Sequence, residues 1–186
     1  MAKKWSNRNL PGALHFVTGN LNKRKPIFRA ESTCKTFLNE CQNLRVKMEG
    51  KLVAFVVMPD HFHLIVNPRD GNIKEWIGAL KSLTAKSLVG IYPKDYFLVN
   101  GEHQVWQESF KALSLWSDWM IWQKVNYIHS NPLRAKLVKS TADYRRSSFH
   151  SFYKEEADPL LQVDRDWWWP DDVQKLERAM DEWAKE

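Results

Sequence analysis

The sequence predicts an α+β sandwich, in which an antiparallel sheet carries helices on one face. Three observations predict it: short runs rich in β-branched and aromatic residues, amphipathic segments with helical spacing, and the order in which the two alternate. That order is β-α-β-β-α-β followed by a further helix, which is a split βαβ arrangement. With 186 residues the chain is long enough to bury one sizeable core.

The first half of the chain alternates strand and helix signals. Strands are predicted at 12–19, 51–57 and 61–67, where β-branched and aromatic residues dominate. A Pro-Asp pair makes the bend between the last two of these strands. A helix is predicted at 31–48, because apolar residues recur there at helical spacing, and Gly50 ends it.

The second half begins with another amphipathic helix, at residues 72–91. Residues 104–110 are a further predicted strand. A third helix starts at Ser117 or Asp118, either of which can serve as its N-cap, and runs to about residue 130. It is expected to end there because the following Pro132 disfavours helix for the residue before it.

The last part of the chain is expected to lie outside the sandwich. The predicted domain covers residues 1–152, with residues 144–148 as either a polar connection or a final strand. Residues 153–186 form an acidic, tryptophan-rich tail with a short amphipathic helix, predicted from the helical spacing of four apolar side chains: Val173, Leu176, Met180 and Trp183. The tryptophans at 167–169 are expected to dock onto the core or onto a partner.

Charge divides the chain in the same way. Residues 155–186 hold eleven acidic and four basic residues, so that segment carries a net charge of −7. Residues 1–154 carry +13, and the two together give the chain its net charge of +6. A body this basic indicates a polyanionic partner, since neutralised phosphates release counterions. A generically soluble basic surface is the alternative. The residues expected to contact phosphates are Lys23, Arg24, Lys25, Lys81, Lys86, Lys124, Arg134, Lys136, Arg145 and Arg146.

The sequence also bears on compartment. No apolar run reaches the roughly 18 residues that a membrane span needs, and the N-terminus lacks the apolar region of a signal peptide. Cys34 and Cys41 lie seven residues apart on a predicted helix, about 10.5 Å by the helical rise. That separation is too long for a disulfide. We therefore expect reduced thiols and a cytoplasmic protein.

Two histidines on one predicted strand are the first candidate site. His61 and His63 flank Phe62, and because alternate side chains of a strand share a face, the two imidazoles point the same way with Cα atoms about 6.6 Å apart. At that separation they can converge on one divalent ion. The alternative is a pair of half-buried histidines on an edge strand. His15, on the first strand, is expected to be a structural neighbour rather than a ligand.

The second candidate site lies on the third predicted helix. Lys124, Tyr127 and Asn131 share one face of it. A phenol and an amide oxygen presented together could approach an ion held by the histidines. Phenols are weak nucleophiles at neutral pH, and the nearby ammonium of Lys124 could offset part of that weakness.

These two motifs together resemble those of the HUH single-strand transposases with one catalytic tyrosine. Among these the chain is most similar to the REP-associated tyrosine transposases. The similarity covers roughly residues 10–152 and rests on the segments 58–65, Met-Pro-Asp-His-Phe-His-Leu-Ile, and 127–138, Tyr-Ile-His-Ser-Asn-Pro-Leu-Arg-Ala-Lys-Leu-Val, with supporting matches at 26–28, 105–107 and 144–148. Two positions depart from the family pattern: residues 110–115 lack its acidic or histidine-containing segment, and Arg146 replaces its usual tryptophan.

The resemblance implies a ferredoxin-like HUH nuclease fold, on which His61 and His63 bind Mg²⁺ or Mn²⁺ and Asn131 is a third contact to the ion. It also implies that Tyr127 attacks a phosphodiester of single-stranded DNA, commonly beside a hairpin, giving a 5′-phosphotyrosine link and a free 3′-hydroxyl. Nitrogen ligands alone would suggest zinc. Phosphate chemistry and an oxygen ligand favour Mg²⁺ or Mn²⁺ instead.

Two alternative functions use parts of the same pattern. A catalytically silent, repressor-like hairpin-DNA-binding module could use the same fold, but it need not keep both histidines and the tyrosine. A metal-binding structural protein without DNA conflicts with the basic body. The oligomeric state, monomer or homodimer, stays open, as does whether Tyr127 meets the histidines of its own chain.

Overall fold

The computed structural model describes residues 10–154 and 161–183. In chain order its strands and helices are β1 (Leu14–Asn20), α1 (Glu31–Lys47), β2 (Gly50–Met58), β3 (His61–Pro68), α2 (Ile73–Ile91), β4 (Leu98–Val99), β5 (Glu102–His103), β6 (Lys111–Leu115), α3 (Asp118–Arg134), α4 (Phe149–Tyr153) and α5 (Asp172–Trp183). The helices and strands predicted in the first half of the chain are all present, close to their expected ends.

The central sheet has four antiparallel strands in the order β2-β3-β1-β6. This is the predicted split βαβ arrangement, with β1 and β3 as the inner strands. Their register sets Thr18 opposite His63 and Asn20 opposite His61. The polar ends of the two inner strands therefore meet at one end of the sheet.

Each face of the sheet has its own core. On one face α1 and α2 pack side by side over buried side chains that include Phe37 and Phe62. The sequence predicted helices on this one face, but the opposite face is covered as well, by α3, which buries Ile121, Val125 and Ile128. Alternate residues of β3 serve the two faces, so the histidines on either side of Phe62 point toward α3.

The strand predicted at 104–110 is wrong. Within that segment Trp106 makes a single isolated bridge to Leu21. The strand that pairs with the free edge of β1, opposite β3, is β6 at 111–115. The indole of Trp106 is nearly buried against the α1–α2 core. The apolar character that favoured a strand there reflects this burial rather than sheet pairing.

The third helix also runs further than predicted. Its N-cap is Ser117, whose hydroxyl accepts a hydrogen bond from the Met120 amide. At the other end Pro132 lies inside the helix, which continues to Arg134. Pro132 has no N–H to donate to the Ile128 carbonyl, so one helical hydrogen bond is missing there. The helix ends two residues later, and Lys136, with φ of 57°, follows it as a left-handed residue.

The described part of the tail packs on the domain. The Asp164 amide donates a hydrogen bond to the Leu52 carbonyl, and the Asp164 carboxylate accepts one from the Leu52 amide and pairs with Arg45 at 2.7 Å. Farther along, the Trp167 carbonyl accepts from Asn67. These contacts lie at the end of β2 and β3 away from the two histidines.

Several smaller expectations can be compared with the structure. Segment 144–148 is a connection whose end runs beside β2, through a bridge between Val56 and Ser147. Cys34 and Cys41 are free and buried, as predicted. Helix α5 buries Leu176, and the side chains of Met180 and Trp183 lie outside the described residues. Among the described residues no helix is long and apolar enough to cross a membrane.

Candidate active site

The two histidines of β3 lie with their rings close together and nearly perpendicular. The ring centroids of His61 and His63 are 4.9 Å apart, with an interplanar angle of 82°. His63 is buried and stacks on Phe16 of β1 at 5.4 Å, whereas His61 is 17 % exposed. Strand alternation has brought both imidazoles to the α3 face, as the sequence predicted.

Each imidazole is oriented by a neighbour through its Nδ1 atom. His61 Nδ1 lies 2.6 Å from a carboxylate oxygen of Asp60, and His63 Nδ1 lies 2.8 Å from the hydroxyl of Thr18. When the Nδ1–H of His61 donates to the carboxylate, Nε2 carries no proton and has a free lone pair. This tautomer can bind a metal ion through Nε2. Thr18 can accept from His63 in the same way. Neither partner was recognised from the sequence.

Burial keeps both histidines uncharged near neutral pH. It lowers the pKa of His63 to about 3, and the positive groups around it add to the effect. Burial also lowers the pKa of His61, although the hydrogen bond that its Nδ1–H donates to the Asp60 carboxylate opposes this shift. Neutral imidazole is the form that ligates metals, so protons do not compete for these nitrogens at pH 7.

Tyr127 is brought to the histidines by α3. Its ring centroid lies 5.4 Å from that of His63 and 5.7 Å from that of Phe16. Lys124, one turn earlier, places Nζ 5.7 Å from the Tyr127 ring centroid, and the Arg134 guanidinium lies 5.6 Å from it. The phenol therefore sits between two imidazoles and two cations, all contributed by a single chain.

Asn131 completes one side of the same cavity. Because α3 continues through Pro132, Asn131 keeps its helical position one turn beyond Tyr127. Its side-chain nitrogen is buried and has no hydrogen-bond partner among the described residues, and the same holds for the side-chain oxygen of Asn20. Buried amides without partners are rare and need an explanation such as an ion or water.

These side chains line one cavity of about 370 Å³. Its lining residues are Phe16, Thr18, Asn20, Arg24, His61, His63, Lys111, Lys124, Tyr127 and Asn131. In the described part of the chain no group of three His, Cys, Asp or Glu side chains is arranged to hold a metal. A metal here would thus take two imidazoles and the oxygen of an amide. The oriented rings and the unpartnered side-chain oxygen of Asn20 fit that demand, whereas Asn131 would have to turn its amide over to present oxygen.

The predicted phosphate contacts fall into two groups. Arg24 and Lys124 line the cavity and Arg134 covers the tyrosine, while the exposed side chains of Lys23, Lys136 and Arg145 lie on the connections that follow β1 and α3. Of these, Arg145 has a guanidinium nitrogen 3.4 Å from His150 Nδ1. The remaining residues are engaged by carbonyls or distant. Lys25 donates to the Tyr96 carbonyl, Lys81 to those of Gln107 and Glu108, Arg146 to those of Phe28 and Arg29, and Lys86 is exposed on α2, on the other face of the sheet.

Five lining or orienting residues were missed from the sequence: Phe16, Thr18, Asn20, Asp60 and Lys111. Asp60 had a signal, because it precedes His61 directly at the start of the strand. Residues Thr18 and Asn20 alternate with Phe16 on one strand, so they share a face. The sequence did not reveal which strand would pair with the histidines, and that register alone brings them to the site.

Known proteins resemble this chain in sequence. The family described as "Transposase IS200 like" matches residues 12–131. A protein of Haemophilus influenzae named as a REP-associated tyrosine transposase is 28 % identical over 160 residues, covering 80 % of this chain and 86 % of its own.

A solved structure gives the same fold. The structure of a REP-associated tyrosine transposase bound to a REP hairpin has a TM-score of 0.67 at 18 % identity, covering 90 % of this chain and 97 % of that one. The predicted resemblance and the α+β HUH fold are therefore confirmed. Since the family match spans more than half of the chain, including the whole central sheet and all of the cavity-lining residues, the chain belongs to the IS200-like transposase family.

Proposed function

We propose that the protein is a metal-dependent transposase that cleaves and rejoins single-stranded DNA through a 5′-phosphotyrosine intermediate at hairpin-forming sequences. One observation carries the proposal. The ring centroid of Tyr127 lies 5.4 Å from that of His63, inside a cavity that is also lined by His61 and Asn131. A nucleophile, two neutral imidazoles and cationic side chains are what transfer of a phosphodiester to a hydroxyl requires.

The proposed step starts at Tyr127. Its phenolic oxygen attacks the phosphorus of the scissile phosphodiester, a bond forms between the two, and the bond from phosphorus to the 3′ oxygen breaks. The phenol gives up its proton, and the departing 3′ oxygen takes one to become a hydroxyl. Attack by a 3′-hydroxyl on the phosphotyrosine reverses the step and rejoins strands, so neither water nor an energy source is consumed.

Each surrounding side chain has a part in that step. Lys124, with Nζ 5.7 Å from the ring centroid, stabilises the negative charge that grows on the phenolic oxygen. Arg24 and Lys111 line the same cavity and suit the phosphate oxygens. His61, His63 and Asn131 would hold Mg²⁺ or Mn²⁺, which when bound supplies Lewis-acid polarisation of the phosphate.

The substrate part of the proposal rests on similarity and charge. The structurally similar transposase is bound to a REP hairpin, and this chain's residues 1–154 carry +13. The similarity favours a single-stranded DNA that folds into a hairpin, and the charge favours a polyanion such as DNA. A cytoplasmic location is part of the proposal. A monomer satisfies the geometry, because one chain supplies every residue named above.

A covalent-adduct assay tests the proposal. Purified protein is incubated with Mn²⁺ and labelled single-stranded DNA carrying the hairpin that flanks its own gene, and products are resolved under denaturing conditions. We expect a protein–DNA adduct with the wild type, none with Tyr127→Phe, and none when the metal is removed by a chelator.

The matched control is Tyr153→Phe, which removes the hydroxyl of a half-exposed tyrosine whose partner is Asn126, outside the cavity. It should form the adduct as the wild type does. Cleavage that survives in Tyr127→Phe would overturn the mechanism. Tight hairpin binding without cleavage under any metal would show the silent binding module instead.

A further inference from the structure

A second cavity, of about 390 Å³, opens beside the proposed active site. It is lined by Arg24, Pro26, Arg29, Met58, Pro59, Asp60, His61, Ala135 and Leu137. Two of these residues, Arg24 and His61, also line the first cavity. The two cavities thus share a wall, and that wall contains one of the histidines next to which the scissile phosphate would lie.

The chemistry of this cavity is divided into apolar and basic parts. Pro26, Met58, Pro59 and Leu137 offer apolar surface, and two arginines offer guanidinium groups. The Arg24 guanidinium forms an ion pair with the Asp60 carboxylate at 3.4 Å. In the described part of the chain no carboxylate pairs with the Arg29 side chain, so its charge is available. An apolar surface beside an uncommitted guanidinium suits a nucleotide, whose base is flat and largely apolar and whose phosphate is anionic.

The wall of the cavity is held in place before any ligand arrives. The loop that carries both arginines is fixed to the β2–β3 turn by hydrogen bonds from Leu21 N to Asp60 O, at 2.9 Å, and from Phe28 N to Pro59 O, at 3.0 Å. Arg146 adds hydrogen bonds to the carbonyls of Phe28 and Arg29.

The same loop stores backbone strain. Lys23 and Arg24 are consecutive non-glycine residues in the left-handed region, with φ of 51° and 52°. Such conformations persist where the surroundings enforce them, and they concentrate at functional sites. Here they turn the Arg24 guanidinium toward Asp60, onto the wall between the two cavities.

We propose that this second cavity is a nucleotide subsite, which binds the nucleotide next to the scissile phosphate. Its base would lie against Pro26, Met58, Pro59 and Leu137, and its own phosphate against Arg29. This inference rests on the proposed function, since a strand cut beside His61 must continue into a neighbouring cavity. It adds that the protein grips one flanking nucleotide outside any hairpin, by its base as well as by its backbone.

Abasic scanning with matched variants tests the subsite. Hairpin substrates in which the base of one nucleotide at a time is removed, with the phosphates kept, are assayed for adduct formation by wild type and Arg29→Ala. We expect removal of the base adjacent to the scissile phosphate to lower the wild-type rate about tenfold, and removal of more distant bases to have less effect. Leu137→Ala should lower the rate on intact DNA. In this variant, removal of the base adjacent to the scissile phosphate should lower the rate by less than it does in the wild type, because the variant has already lost the side chain that this base contacts.

Arg29→Ala should lower DNA affinity about tenfold and reduce the dependence of affinity on salt by about one ion. Its control is Lys47→Ala, an exposed cation on α1, on the face of the sheet opposite α3, which should leave both unchanged. An adduct that forms equally well whatever base is removed, with Arg29→Ala like wild type, would overturn the subsite and leave the proposed function intact. Absence of any adduct would count against the proposed function itself.

Discussion

At the scale of single residues, the orientation of His61 depends on a carboxylate next to it in sequence. Asp60 holds the Nδ1–H of His61 at 2.6 Å and pairs with Arg24 at 3.4 Å. A ligand histidine fixed in this way presents Nε2 in one direction, and the carboxylate makes that nitrogen a stronger base than in an imidazole without such a partner. The carboxylate therefore shapes a metal site without contacting the metal.

We expect Asp60→Ala to weaken Mn²⁺ binding by roughly ten- to a hundredfold, the range known for residues that orient metal ligands. The measurement is a metal titration by calorimetry, accompanied by adduct formation as a function of Mn²⁺ concentration. Excess metal should largely restore the adduct, because the nucleophile is untouched. Asp95→Ala, at an exposed loop carboxylate, is the control. An unchanged metal affinity would show that His61 is not held through Asp60.

Sequence reasoning found the residues of the site that lie in local motifs and missed those that arrive by pairing. His61, His63, Tyr127 and Asn131 are readable because strand and helix periodicity fix which side chains share a face. Thr18 reaches the site only because β1 pairs with β3 in one register. A register between strands 40 residues apart is decided by the whole sheet, so no local pattern carries it.

At the scale of elements, tertiary contacts decided where the predictions failed. Segment 104–110 has the composition of a strand, but it is held instead by Lys81, whose ammonium donates to the carbonyls of Gln107 at 2.7 Å and Glu108 at 3.0 Å. The indole of Trp106 returns a hydrogen bond to the Lys81 carbonyl at 2.9 Å. Carbonyls satisfied by a side chain need no neighbouring strand.

Lys81 is therefore expected to stabilise the fold rather than bind DNA. Lys81→Met keeps the aliphatic chain but leaves two carbonyls without their charged donor, which should lower the free energy of unfolding by about 1–3 kcal/mol. Urea unfolding measures this. Lys86→Met, an exposed position on the same helix, should change stability by less than about 0.5 kcal/mol. If the two variants were equally stable and Lys81→Met bound hairpin DNA more weakly, the original assignment of Lys81 to phosphate would be right.

At the scale of the whole molecule, two cores on opposite faces of one sheet bury histidines that cannot easily be protonated. His15 is fully buried on the inner strand β1, and neither ring nitrogen has a hydrogen-bond partner among the described residues. His129 is buried under α4, with Nε2 2.8 Å from the Ser148 hydroxyl. Burial lowers the pKa of each to about 4.

These histidines make the fold sensitive to acid. Below about pH 6.5 the unfolded chain takes up protons at both positions, while the folded chain stays unprotonated down to about pH 4. The free energy of unfolding therefore falls as pH falls through this window, by up to about 1.4 kcal/mol per pH unit for each histidine. Above the window neither contributes to the pH dependence.

His15→Leu should remove the share of that slope due to His15. Between pH 6 and 4.5, urea unfolding in the presence of a chelator should show a pH dependence shallower by about one proton than in the wild type. At pH 7.5 the variant should be as stable as the wild type or more so, since it replaces an unsatisfied buried imidazole with an apolar side chain of similar size. His103→Gln, at an exposed position, should leave the slope unchanged. A slope that His15→Leu does not alter would mean that His15 is protonated in the folded protein, and that water or a shift of β1 reaches it despite its burial between the sheet and the α1–α2 layer.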